Sequence, residues 1–225
     1  MIDKPLITYL FDPLCGWCYG ASPALRRLAA HPGISIELAP TGLFSGLSAR
    51  PMDSQFAAYA WSNDQRIAEL SGQRFSADYR EKVLGHNDGR LDSGPATLAL
   101  TAVALTQPSR ELDALRLIQE ARYVSGLDVT DRSALGAILT NADLGAAAGR
   151  FAALDKQLLA ENSRRVEAAR AAMRAFGAHG VPALLVDDRQ GRRLIEANAL
   201  FANPALLDNL ASVAARTEAH ERIQP

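Results

Sequence analysis

A β-rich apolar run, LITYLF at 6–11, is followed by a helix-forming run, ASPALRRLAA at 21–30, and then by an alternating run, ISIELA at 34–39. Asp12-Pro13 ends the first, His31-Pro32-Gly33 stops the second and Pro40 closes the third. Strand, helix and strand at this spacing form a βαβ unit, whose strands are parallel and joined by a right-handed crossover. Such a unit is too small to hold a core alone, so the rest of the chain must supply more sheet.

Sheet signals return only near the end. Residues 181–187 (VPALLVD) are predicted as a strand, DRQG as a turn and residues 192–196 (RRLIE) as its hairpin partner. Asn203-Pro204 then starts a last helix, with Pro204 at its first position, running through ALLDNLASVAAR to a frayed tail, EAHERIQP. The two ends together give a four-stranded mixed sheet with helices on its faces.

Between them the pattern is helical. Residues 52–70, 76–84, 96–106, 111–124 and 132–141 are predicted as helices, separated by Gly, Pro, Asn and Ser signals. Residues 145–176 form the longest candidate, with an apolar stripe at three- and four-residue steps that Asn162 interrupts and a break expected near Gly149. The expected division is a discontinuous sheet domain, 1–48 with 178–225, and a helical insertion, 49–177.

A net charge of -1 with no long run of one sign leaves no electrostatic footprint for nucleic acid or an anionic membrane. The longest apolar passage, around 96–105, is too short to span a bilayer. The N-terminus, MIDKPLITYLF, lacks the basic start and long apolar region of a secretory signal, so a cytoplasmic location is expected.

Cys15 and Cys18, the two cysteines of the chain, fall where the first strand hands over to the helix. The loop they close is too short to constrain the unfolded chain much, which argues against a structural staple. Residues three apart on a helix share a face, so dithiol and disulfide can interconvert with little backbone movement. Cys15 sits at the helix N-terminus, where unpaired N–H groups and the dipole favour a thiolate, and is the expected attacking residue. Cys18, one turn inside, is the expected resolving thiol. Gly16 and Trp17 between them carry no charge; Trp17 is either an apolar contact for a peptide or a partly packed surface aromatic. A zinc site would need two more ligands from His31, His86, His179 and His220, which are far apart in sequence, and no metal is expected.

DPLCGWCYG at 12–20 resembles the D-x-x-C-x-W-C-Y-x-G pattern of DsbA-like proteins of the FrnE type, a thioredoxin-superfamily branch with a helical insertion. Pro23, early in the following helix, is similar to the proline that thioredoxin-fold helices often have there. GVPALLV at 180–186 is similar to the segment that opens the third strand in DsbA proteins. The helical middle matches by layout and not by motif. The resemblance implies an α/β thioredoxin fold with a large helical insertion, and a cis Val181-Pro182 peptide facing the cysteines. Pro182 would offer no N–H near the sulfurs, while Val181 would pair its backbone with an extended substrate. His179 is expected to be a solvated loop residue rather than a partner of the thiolate. Thioredoxin-like proteins commonly have a buried acid six residues before the first cysteine; here that position is Tyr9. Asp12 either takes a related proton-transfer role or merely ends the strand beside Pro13.

The function expected first is thiol–disulfide exchange with protein substrates, by reduction, oxidation or isomerisation, with no cofactor beyond the redox pair and glutathione or a recycling reductase as candidate partners. A glutathione-dependent isomerase or transferase of the kappa-class or hydroxychromene carboxylate isomerase type stands second; those enzymes usually have serine at the first cysteine position. A non-catalytic peptide- or metal-binding module stands third.

Overall fold

The computed structural model describes residues 4–86, 89–202 and 210. The chain opens with β1 (Leu6–Phe11), α1 (Gly16–Ala29) and β2 (Ser35–Pro40). β3 (Arg50–Pro51), α2 (Ser54–Ser71), a π-helical turn over Tyr79–Leu84 and β4 (Arg90–Leu91) follow. Then come α3 (Gly94–Thr106), α4 (Glu111–Tyr123), α5 (Arg132–Asn141), α6 (Gly145–Ala153) and α7 (Lys156–Phe176). β5 (Ala183–Asp188), β6 (Gly191–Glu196) and α8 (Ala197–Ala202) complete the described elements.

The main sheet has the order β2-β1-β5-β6. β1 and β2 are parallel with Leu6 opposite Ser35, whereas β5 runs antiparallel to both β1 and β6. This is the expected mixed sheet of a thioredoxin fold, drawn from both ends of the chain. β1 is buried over Ile7–Phe11 because a central strand is covered on both faces. On one of those faces the Tyr9 and Phe11 rings stack with centroids 5.4 Å apart.

α1 carries Pro23, which has no N–H for the Tyr19 carbonyl one turn earlier. Gln73, just past α2, fills that place: its Nε2 donates to Tyr19 O at 3.1 Å and to Ser22 Oγ at 2.8 Å. His31 accepts from Gly33 N through Nδ1 at 3.2 Å and shapes the turn into β2.

α3 is the hub of the helical region, and the apolar passage at 96–105 lies within it. Ala96, Ala99, Leu100, Ala102 and Val103 have no exposed surface, and α4, α5, α6 and α7 pack around them. A helix apolar all round must be enclosed in this way. α7 is tied to β2 and the segment after it by two arginines as well as by its apolar stripe. Arg165 Nη2 donates to Leu38 O at 2.8 Å, and Arg170 donates from Nε to Thr41 O at 2.8 Å and from Nη2 to Gly42 O at 2.6 Å. Asn162, the interruption in that stripe, accepts from Thr101 Oγ1 at 3.0 Å.

Several expected boundaries move. The helix over 145–176 is two helices, parted at Leu154-Asp155 and not near Gly149. Leu154 is left-handed with φ 50°, and the Asp155 carboxylate accepts from Leu158 N at 2.8 Å. A side-chain acceptor that competes for backbone N–H groups restarts a helix, whereas a glycine only weakens one. Asp53 likewise caps α2, accepting from Phe56 N at 2.8 Å, so that helix begins at 54 and leaves Arg50–Pro51 to pair with Arg90–Leu91. The strand expected from 181 begins at Ala183, after the cis Val181-Pro182 peptide. Apart from Leu210, which is helical and buried, the helix expected from Asn203, the tail after it and His220 lie outside the described residues. Among the described residues no helix is long and apolar enough to cross a membrane.

Candidate active site

The loop from β1 into α1 is fastened by Asp12. Its Oδ1 accepts from Leu14 N at 2.9 Å, and its Oδ2 accepts from Phe44 N at 3.2 Å and Ser93 Oγ at 2.6 Å. One carboxylate thus joins the cysteine loop to the segment after β2 and to the start of α3. Burial pushes its pKa up, and the Ser93, Leu14 and Phe44 donors oppose that. Asp12 does more than end the strand: it clamps the loop.

The Asp12 carbonyl also accepts from Cys15 N at 3.1 Å, which turns the chain so that Cys15 caps α1 with extended backbone angles. Both cysteines are free thiols. Cys15 retains 8% of its surface, and its Sγ lies 3.6 Å from Val181 O, to which the thiol donates. The cis Val181-Pro182 peptide therefore faces the cysteines as expected, with the Val181 carbonyl turned towards sulfur. Cys18 keeps only 1% and lies beneath. Burial pushes its thiol well up, the neighbouring Cys15 and then the Asp12 charge add to this, and a hydrogen bond from the Asp12 backbone opposes it.

Two tyrosines hold the pair from below. Tyr9 Oη donates to Cys18 O at 3.2 Å, so the residue in the place of the usual acid lies against the second cysteine. Its own pKa is raised well above 10, first by burial and then by the two cysteines beside it. Tyr123 Oη, on α4, donates to Leu14 O at 2.7 Å and anchors the residue before Cys15 to the helical region.

A cleft of about 300 Å³ opens beside Cys15, lined by Trp17, Phe44, Phe56 and Tyr59 together with a buried polar group that the sequence did not reveal. Asp64, on α2, accepts from Tyr79 Oη at 2.9 Å. The Arg122 guanidinium lies over the Tyr79 and Tyr123 rings at 5.6 and 5.7 Å. Asp64 presses on Gly16: a Cβ there would collide with its Oδ1 and come 3.3 Å from Ile67 Cδ1. Gly16 and Gly20, where a Cβ would meet Ile67, are thus the points at which α2 closes on α1. Burial raises the Asp64 pKa to about 7, against the opposing pull of Tyr79 and Arg122. No local pattern marks these residues, since Asp64, Tyr79 and Arg122 belong to three separate elements of the helical region.

Trp17 is half-buried, packed edge-on against Phe201 of α8 with centroids 5.3 Å apart, and also lines the cleft. His179 is exposed on the loop before Val181. Cys15, Gly16, Trp17 and Val181 line one cleft, with Asp12 and Cys18 behind it, while His31, His86 and His179 stand outside it. Among the described residues no three His, Cys, Asp or Glu side chains cluster as metal ligands do.

The cytosolic disulfide reductase DsbM from Pseudomonas aeruginosa is 28% identical to this chain and superposes with a TM-score of 0.80, covering 97% of this chain and all of that one. Its structure with GSH matches at 29% identity and a TM-score of 0.78. A curated relative, the ClpXP adapter protein SpxH of Bacillus subtilis, is 29% identical over 145 residues, which is 63% of this chain and 46% of that protein. The chain therefore spans less than half the length of that relative. A 2-hydroxychromene-2-carboxylate isomerase shares the fold, with a TM-score of 0.63 at 15% identity. The family model of the DSBA-like thioredoxin domain matches residues 6–205, taking in both parts of the sheet and every helix between them. By that match, and by the fold built around its cysteine pair, the chain belongs to the DSBA-like thioredoxin-domain family.

Proposed function

We propose that the protein is a thiol–disulfide oxidoreductase of the cytosol that reduces or isomerises disulfides of protein substrates through Cys15 and Cys18. The observation that carries this is the arrangement of the two free thiols, one capping α1 at the mouth of an apolar cleft and the other buried one turn below.

In the first step the Cys15 thiolate attacks one sulfur of a substrate disulfide. A Cys15–substrate disulfide forms, the substrate S–S bond breaks and the second substrate sulfur leaves as a thiolate that takes up a proton. The first N–H groups of α1, which have no intrahelical acceptor, favour the anion on Cys15. The Val181 carbonyl that accepts from the neutral thiol offers the thiolate nothing, so ionisation turns the sulfur towards those N–H groups. Cys18 then gives up its proton and attacks Cys15 Sγ, releasing the substrate reduced and leaving a Cys15–Cys18 disulfide. Two thiols of glutathione, or a recycling reductase, would restore the dithiol; the DsbM structure with GSH supports glutathione. For Cys18, held neutral by burial, ionisation is the demanding step. The Asp12 backbone is the group beside it that favours the anion.

Insulin reduction driven by glutathione tests this. Cys15→Ser is expected to abolish turnover. Cys18→Ser is expected to stop it after one exchange, trapping a mixed disulfide on Cys15 that mass spectrometry detects. Undiminished turnover in Cys15→Ser would remove Cys15 as the nucleophile, and a wild type no faster than glutathione alone would remove the redox function and leave a binding module, a role the adapter relative would suit. The apolar cleft beside Cys15 also suits a glutathione-dependent isomerase or transferase. Small-molecule transfer that survives loss of Cys18 would favour that second assignment.

A further inference from the structure

Asp64 has no part in the exchange steps above, yet it is a carboxylate with 4% of its surface exposed, pressed against the first turn of the redox helix. It lines the same cleft as Cys15. The groups facing it are Tyr79 from the π-helical turn and Arg122 and Tyr123 from α4, and it touches the backbone of Gly16, the residue after Cys15, which lines the same cleft. The Arg122 charge pulls on Asp64 from beyond ion-pair distance while lying over the tyrosine rings, and the Arg122 Nε has no hydrogen-bond partner among the described residues.

A carboxylate and a thiolate in one water-poor cleft are like charges, and ionising one disfavours ionising the other. We propose that Asp64 is a positioning residue through which α2 sets the charge on Cys15, taking up a proton as the thiol loses one. Thiol and carboxylate pass to thiolate and carboxylic acid, so the cleft holds a single negative charge in either state. The proton moves between Asp64, the cleft and solvent; no electron moves, and exchange with the substrate disulfide proceeds as written above. The raised pKa of Asp64 agrees with this, since it places the change of charge near neutrality. This inference rests on the oxidoreductase reading and adds a group that tunes how the redox pair responds to pH.

The test is the equilibrium of the full chain with reduced and oxidised glutathione at pH 5.5 and pH 8.0, for the wild type and Asp64→Asn. Asparagine keeps the shape and can still accept from Tyr79 Oη. At pH 8.0 the wild-type carboxylate must take up a proton or repel the thiolate as it forms, so Asp64→Asn stabilises the dithiol, and the oxidation equilibrium constant falls about fivefold, the size of a like-charge interaction across the cleft. At pH 5.5 the wild-type group is already neutral and the two proteins agree within about 1.5-fold. Tyr79→Phe, which removes the donor to the ionised carboxylate, is expected to shift the constant the same way at pH 8.0. It decides the matter alone should Asp64→Asn fail to fold. Equal shifts at both pH values, or none, overturn the proposal and leave Asp64 a packing residue. A wild type that forms no Cys15–Cys18 disulfide at either pH overturns the oxidoreductase assignment, and this proposal with it.

Discussion

Gly16 and Asp12 are ordinary residues by composition, and both are dictated by contacts made far away in sequence. At Gly16 the space for a side chain is taken by Asp64 Oδ1. Gly16→Ala is expected to lower stability by about 1–3 kcal/mol, the usual cost of forcing a methyl into a filled site. Combining it with Asp64→Ala should recover part of that loss, because the two groups compete for one volume. Additive losses in a double-mutant thermal denaturation cycle would show that they do not meet. At Asp12 the side-chain donor is Ser93, beside the Leu14 and Phe44 backbone N–H groups. Ser93→Ala removes it from a fully buried carboxylate, at a cost of about 1–3 kcal/mol. Burial already raises the Asp12 pKa, so the ionised form is the one the fold disfavours and the one Ser93 serves. The Ser93→Ala penalty should therefore be larger where Asp12 is ionised than in acid where it is protonated; a penalty constant across the pH range would mean that Ser93 serves packing alone. The cysteine pair and its place at a strand–helix junction were legible in the sequence, since both depend on local spacing. The identity of the groups beneath the pair was not. Asp64, Tyr79, Arg122 and Tyr123 meet only through tertiary packing, and no spacing between them encodes it.

Helices and strands were legible wherever a periodic run was long. α3, α4 and α5 fall close to where their apolar patterns place them, and the hairpin of β5 and β6 follows from a strand, a turn and a strand. The misplaced features are those that a single side chain decides. The carboxylate of Asp155 breaks the long helix where no apolar period changes, and the two-residue ribbon of β3 and β4 is too short to carry a pattern. The hold of α7 on the sheet is a further case. Arg165 is nearly buried, 2.6 Å from Glu111, and also donates to Leu38 O. Arg165→Met should destabilise the chain by about 3 kcal/mol, because it strands a buried acid and frees a strand carbonyl. Chemical denaturation measures this, and a loss below about 0.5 kcal/mol, as for an exposed pair, would show that α7 is held by its apolar contacts instead.

The whole molecule is a mixed sheet assembled from both ends of the chain, with a helical region that reaches back to the redox loop through Ser93, Tyr123 and Asp64. That region carries two buried acids, Asp64 and Glu111, each raised by burial to about 7. A raised acid favours the folded state below its unfolded pKa, and the benefit is lost as pH rises through the folded value. Thermal stability should accordingly decline between about pH 4 and pH 7 through these two groups. Asp64→Asn should flatten part of that decline, and an unchanged profile would place the carboxylate in water. The redox chemistry itself turns on two thiols of unequal exposure, one that reaches the cleft and one that waits beneath it. Brief alkylation of the dithiol protein, followed by mass spectrometry before and after equilibration with oxidised glutathione, examines that inequality directly. The expected result is modification at Cys15 with Cys18 spared, and full protection of both once an intramolecular Cys15–Cys18 disulfide has formed. Equal labelling of the two thiols, or a pair that remains free against excess oxidised glutathione, would contradict it.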